Sequence, residues 1–94
     1  MDPNGYPDEA ELEQVKSWPH TDLMGLMAFI QGRWWPAHGD CWKIRGRHYS
    51  ISTWGWSGNE SLVEALQQNR MFWALCWQSS KRGGHYTFEL PRQD

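Results

Sequence analysis

The chain is short of most features that mark a secreted, membrane or metal-dependent protein. It has two cysteines, Cys41 and Cys76, in 94 residues. That is too few for a disulfide framework, and with four scattered histidines they show no metal-ligand spacing. Both thiols are expected to be reduced, with no metal and no cofactor. No apolar run approaches the roughly 20 residues of a bilayer span, so no membrane partner is expected. Met1 leads into Asp2, Pro3 and Asn4 without a basic n-region or apolar h-region, which points to the cytoplasm. Positive charge is also scarce. A formal net charge of −2 argues against general duplex-DNA binding, which needs many cationic phosphate contacts. There is no repeat at solenoid spacing and no low-complexity block.

What the chain has in surplus is tryptophan. Eight are present, and Trp42, Trp54, Trp56, Trp73 and Trp77 crowd one stretch. Indoles are too large for a small core to bury many completely, and each N–H wants a partner. The surplus therefore implies either an indole-built core or a surface of rings that awaits a ligand. Hydrophobic residues at 39% and charged residues at 21% describe one globular domain over residues 8–94. Residues 1–7, with two prolines and a glycine, read as a disordered arm.

Periodicity then sets an α+β fold. Asp8 to about Trp18 reads as a helix with acidic residues in its first turn, and Pro19 ends it. Thr21 is placed to cap a second helix, along which Leu23, Leu26, Met27, Ile30 and Trp34 recur, closed by Gly32 and Pro36. Cys41 to Arg45 and His48 to Thr53 alternate as two strands about a Gly46-Arg47 turn. A third helix to about Gln68 follows, started by Ser57 with Glu60 at capping-box spacing or by Asn59, and stopped at Asn69. The aromatic run Met71 to Ser79 is read as a strand, turned at Lys81-Arg82-Gly83-Gly84 into a last strand, His85 to Leu90. The order α-α-β-β-α-β-β predicts a four-stranded antiparallel sheet with helices on one face. Trp42, Ile44, Tyr49, Ile51, Tyr86 and Phe88 would face those helices. Lys43, Arg45, His48, Ser50, Ser52, His85 and Thr87 would face out, joined by Trp73 with Trp77 or by Phe72.

Three segments carry candidate chemistry. The open sheet face mixes hydroxyls, cations and aromatics, a composition that holds planar or anionic ligands. The junction Ser52-Thr53-Trp54-Gly55-Trp56-Ser57-Gly58-Asn59-Glu60 joins a strand end to a helix start, where unsatisfied N–H groups favour an anion. It lacks the lysine and glycine spacing of a P-loop. The Arg82-Gly83-Gly84-His85-Tyr86 turn offers a guanidinium fork and an imidazole. The expected site is Trp54, Trp56, Ser57, Asn59, Trp73 and Trp77 with Arg47, Arg82 and His85 as its cations. For catalysis, His38, Asp40 and Cys41 are close in sequence, and Cys41 with His48 or His85 has the types of a nucleophile–base pair. Nothing marks an activated thiol, and the reading leans away from an enzyme.

The nine-residue junction motif, Phe72-Trp73, Cys76-Trp77, and Arg82-Gly83-Gly84-His85-Tyr86 with Phe88-Glu89 resemble a family of small uncharacterised proteins of tailed bacteriophages and prophages, over about residues 40–90. The family pattern has glycine where this chain has Trp54. The resemblance implies a phage accessory protein in the host bacterial cytoplasm and brings no known activity. The expected function is a non-catalytic binding module holding a nucleotide-like anion, such as a signal of host defence. The alternatives are a protein–protein inhibitor or assembly subunit binding a host or phage protein, a single-stranded nucleic-acid binder, and a small hydrolase or transferase. A homo-oligomer is compatible with each.

Overall fold

The computed structural model describes residues 6–35 and 41–92. Helix α1 (Glu9–Lys16) starts at a capping box between Asp8 and Glu11. Asp8 Oδ1 accepts from the Glu11 N–H at 2.8 Å, and Glu11 Oε1 accepts from the Asp8 N–H at 3.1 Å. A 3-10 turn (His20–Asp22) then leads into α2 (Leu23–Gln31). The cap of α2 is Asp22 and not Thr21, because the turn takes up Thr21 and the Asp22 carboxylate reaches the Gly25 N–H at 3.1 Å.

Strands β1 (Trp42–Arg45), β2 (His48–Ser52), β3 (Trp77–Lys81) and β4 (His85–Glu89) form one antiparallel sheet in the order β1-β2-β4-β3. The α+β order read from the sequence holds, with the third helical segment divided into two helices. These are α3 (Ser57–Gln68) and α4 (Arg70–Cys76). Residues 71–76 are thus helical, and only 77–81 pair in the sheet. Asn69 explains the difference. It closes α3 and restarts the chain by accepting from the Phe72 N–H at 3.1 Å. Its amide also donates to the Val15 carbonyl at 2.9 Å and the Trp18 carbonyl at 3.1 Å, which locks both helices to the end of α1. With that cap in place, Met71, Ala74 and Leu75 favour helix over the strand tendency of their aromatic neighbours. A register shift between Trp77 and Ser79 marks the entry into β3.

One sheet face meets the helices. Tyr49, Ile51, Phe88 and Trp42 are buried there against Leu26, Met27, Ile30, Leu62, Leu66 and Phe72. Ile44 shares that face but stays half exposed, because β1 is an edge strand. Trp34 is core and donates its indole N–H to the Ser52 carbonyl at 3.1 Å. Trp42 is buried against Trp34 and Tyr49, and its Nε1 has no hydrogen-bond partner. The other face carries Lys43, Arg45, His48, Ser50, Ser52, His85 and Thr87, as the alternation predicts. No indole joins them. Trp77 lies level with Phe88 and stacks on Trp73 of α4 (6.0 Å, 18°), so both rings belong to the helix side.

Both thiols are buried and unpaired with each other. Burial pushes the Cys76 thiol up to about 11, away from the range of a reactive thiolate. His38 and Asp40 lie outside the described residues, as do residues 1–5 of the expected arm. Of that arm, Tyr6 stacks on Trp56 and Pro7 is buried.

Candidate functional site

The nine expected site residues do not converge on one cavity. They divide between the two ends of the sheet, because antiparallel pairing sends the start of β2 to the end of β4. Arg47 donates to the Leu90 carbonyl at 2.9 Å and pairs with Glu89 at 3.4 Å. It therefore sits a strand length, about 13 Å, from His85 at the start of β4. Trp77 lies at Arg47's end: Arg47, Leu75, Trp77, Glu89 and Pro91 line a groove of about 270 Å³. Trp73 stacks on Trp77 at the same end. The Trp77 indole N–H is taken by Ser80 Oγ at 2.8 Å.

The other six gather where the junction after β2 meets the turn before β4. Thr53 is the buried link. Its N–H donates to the Gly84 carbonyl at 3.0 Å, and its own carbonyl accepts from the Trp56 N–H at 3.0 Å. Thr53 Oγ1 accepts from the Gly55 N–H at 3.3 Å. Next to it, Ser52 Oγ and His85 Nδ1 share a hydrogen bond of 2.6 Å. The turn must carry glycine at position 84: φ is +79°, and a Cβ there would run into Thr53 Oγ1.

Asn59 is a structural hub, not the α3 cap. Fully buried, it donates to the carbonyls of Trp35 (2.5 Å) and Thr53 (3.2 Å) and accepts from the Trp35 N–H at 3.0 Å. It ties the chain after α2 to the junction. The capping box expected of Ser57 and Glu60 is absent: Trp56 occupies the N-cap and makes no side-chain cap. Its indole instead lies over Gly58, where a Cβ would sit 2.5 Å from the ring, and stacks on Tyr6 (4.9 Å, 25°).

The result is an aromatic platform. Trp56 has Tyr6 on its face and Trp35 tilted against it at 5.9 Å. Trp35 is 60% exposed and Trp54 69% exposed. Trp54 stands in the left-handed region at φ +54°, the only non-glycine residue with positive φ among the described residues. Arg82 lies in the adjoining turn. Sequence reasoning missed Tyr6 and Trp35. The Trp34-Trp35-Pro36 run held the signal for Trp35, since adjacent indoles leaving a helix cannot both enter the same core.

Comparison of the chain with protein-family models, curated proteins and solved structures returned no match. Among the described residues, no helix is long and apolar enough to cross a membrane. Nor do three or more histidine, cysteine, aspartate or glutamate side chains group as metal ligands there.

Proposed function

We propose that this protein is a non-catalytic binding module that engages a partner protein through the Trp35–Trp56–Tyr6 platform and the exposed Trp54 of the same junction, with Arg82 in the adjoining turn. Trp54 carries the reading. A left-handed backbone costs a Cβ-bearing residue about 1–2 kcal/mol, and the exposed Trp54 ring recovers little of that by burial. A bulky residue that strains the backbone and packs weakly within its own domain has its use outside it. Tryptophan, tyrosine and arginine are also the types that dominate interface hot spots.

The expectation of a nucleotide-like ligand held between indoles and Arg47, Arg82 and His85 has less support at this site. Arg47 is tied down at the far end of the sheet, and His85 is bonded to Ser52. The exposed rings lie open and suit a broad partner surface better than a small enclosed ligand. The resemblance to phage and prophage proteins directs the search for that partner to the infected bacterial cytoplasm.

The test is co-purification from the host with wild-type protein and with Trp54→Gly. The wild type should retain one partner at fixed stoichiometry, and the folded variant should bind it at least about 30-fold more weakly, a hot-spot loss of about 2 kcal/mol. Undiminished binding by the variant, or recovery of a small molecule alone, would sink the proposal.

A further inference from the structure

A second surface lies on the opposite side of the sheet from the helices and belongs to no part of the platform. The described charge is biased by layer. Glu9, Glu13, Asp22, Glu60 and Glu64 are exposed on the helical elements and outnumber the cations Lys16 and Arg70 there. Lys43, Arg45 and Lys81 are exposed on the open sheet face. Among the described residues Glu89 is the acid on that face, and Arg47, His48 and Gln78 engage it at 3.4, 3.7 and 2.9 Å. An overall acidic chain thus turns a basic sheet face to solvent, and such a face favours an anion.

The face is also shaped. Lys43, Arg45, His48, Ser50, Gln78 and Thr87 line a depression of about 290 Å³, and Tyr49, whose ring is buried on the helix side, completes its wall. Register fixes its floor: Lys43 pairs with Ser50, Ser50 with Thr87, and Arg45 with His48. Thr87 Oγ1 is held by Ser79 Oγ at 2.6 Å, and Gln78 by Glu89. The Ser50 hydroxyl stands between the cations of β1 and these fixed groups. The Lys43 and Arg45 stems leave one strand on the same face, about 7 Å apart at the backbone. An ammonium, a guanidinium fork and a hydroxyl converging on one small depression suit oligophosphate oxygens.

We infer that this depression binds a soluble oligophosphate, a nucleoside triphosphate or inorganic triphosphate, through Lys43, Arg45 and Ser50. Recognition is of the phosphates. No indole, phenol or phenyl ring among the described residues stands on this face, and the imidazoles of His48 and His85 are engaged by Glu89 and Ser52, so the nucleoside adds little and a nucleic-acid strand gains little platform. The site is independent of the protein-binding platform.

Isothermal titration with ATP, inorganic triphosphate, adenosine and a ten-residue oligothymidylate tests it, with amide NMR shifts as the map. ATP and triphosphate should bind within about threefold of each other, adenosine should give no heat, and shifts should centre on Ser50, Thr87 and Gln78. The Lys43→Gln, Arg45→Gln double variant should lose at least tenfold, and Lys43→Arg should restore most of the loss when combined with native Arg45. Three results overturn the inference: no heat with either phosphate, shifts centred elsewhere on the wild-type protein, or oligothymidylate binding much tighter than ATP. The wild-type shift map decides the matter even if the double variant fails to fold.

Discussion

Replacing Trp54 separates backbone strain from packing, and two substitutions are needed. Trp54 is 69% exposed. About 60 Å² of a side chain of roughly 200 Å² is therefore covered, worth about 1.5 kcal/mol at ~25 cal/mol per Å². Trp54→Ala loses that contact and keeps the strain at φ +54°, so it should destabilise by about 1.5 kcal/mol. Trp54→Gly loses the same contact but relieves about 1–2 kcal/mol of left-handed strain, against about 0.5–1 kcal/mol of added unfolded-chain entropy. The glycine variant should thus be the more stable of the two by about 0.5–1 kcal/mol, the reverse of the usual order. Urea unfolding followed by far-ultraviolet circular dichroism measures both without relying on the deleted fluorophore. A gap of that size also appears as a few degrees in Tm for a domain this small. A glycine variant less stable than the alanine variant would refute the backbone reasoning. A loss above about 3 kcal/mol in either would show that Trp54 is a core residue.

Two further outcomes follow from the geometry. Gly84→Ala should cost at least about 2 kcal/mol, since positive φ and collision with Thr53 act together, whereas Gly46→Ala, at φ +63° with open space around it, should cost about 1 kcal/mol; equal losses in thermal melts would contradict the close Thr53–Gly84 approach. Burial alone would raise the Glu11 carboxyl, but the hydrogen bonds it accepts, those from the Asp8 N–H and Arg33 among them, outweigh that and hold it at about 2. Its folded value is depressed, so its contribution, on the order of 2 kcal/mol, is present above about pH 4.5 and lost as pH falls through 2. Glu11→Gln should accordingly lower Tm at pH 6 and match the wild type near pH 2; a constant Tm difference across that window would show that ionisation of Glu11 is not its source.

The parts of the fold that were legible are those written in alternation. β1, β2 and β4 each turn one parity of residues to the helices, so both sheet faces could be read before any contact was known. The part that was not legible turns on Asn69, which looks like a stop and acts as a stop and a start. Nothing local says that its amide reaches Val15 and Trp18, and without that anchor the aromatic run after it resembles a strand. The site failed in a related way. Alternation tells which face a residue is on but not which end of the sheet, so Arg47 and His85 looked like neighbours until the β2–β4 pairing set them apart. Ser57 and Glu60 have capping-box spacing, yet the interior needs Asn59, whose three hydrogen bonds join segments 24 and 6 residues apart. Trp54 was hidden for the opposite reason. Side-chain identity argues against a left-handed backbone, and only the flanking glycine hinted at one.

The hydrogen bond between Thr53 and Gly84 also sets a schedule. β4 follows the other three strands in the chain and yet lies between β2 and β3. On a translating ribosome, at about 5–20 residues per second, the stretch from Thr53 to Gly84 takes roughly 2–6 s to make. Through that interval Trp54 and Trp56 have been synthesised, but the turn that fixes their backbone does not yet exist. On the proposed function, a partner would be held with native geometry only once the last hairpin has closed, and completion of β4 would be the moment at which binding competence begins.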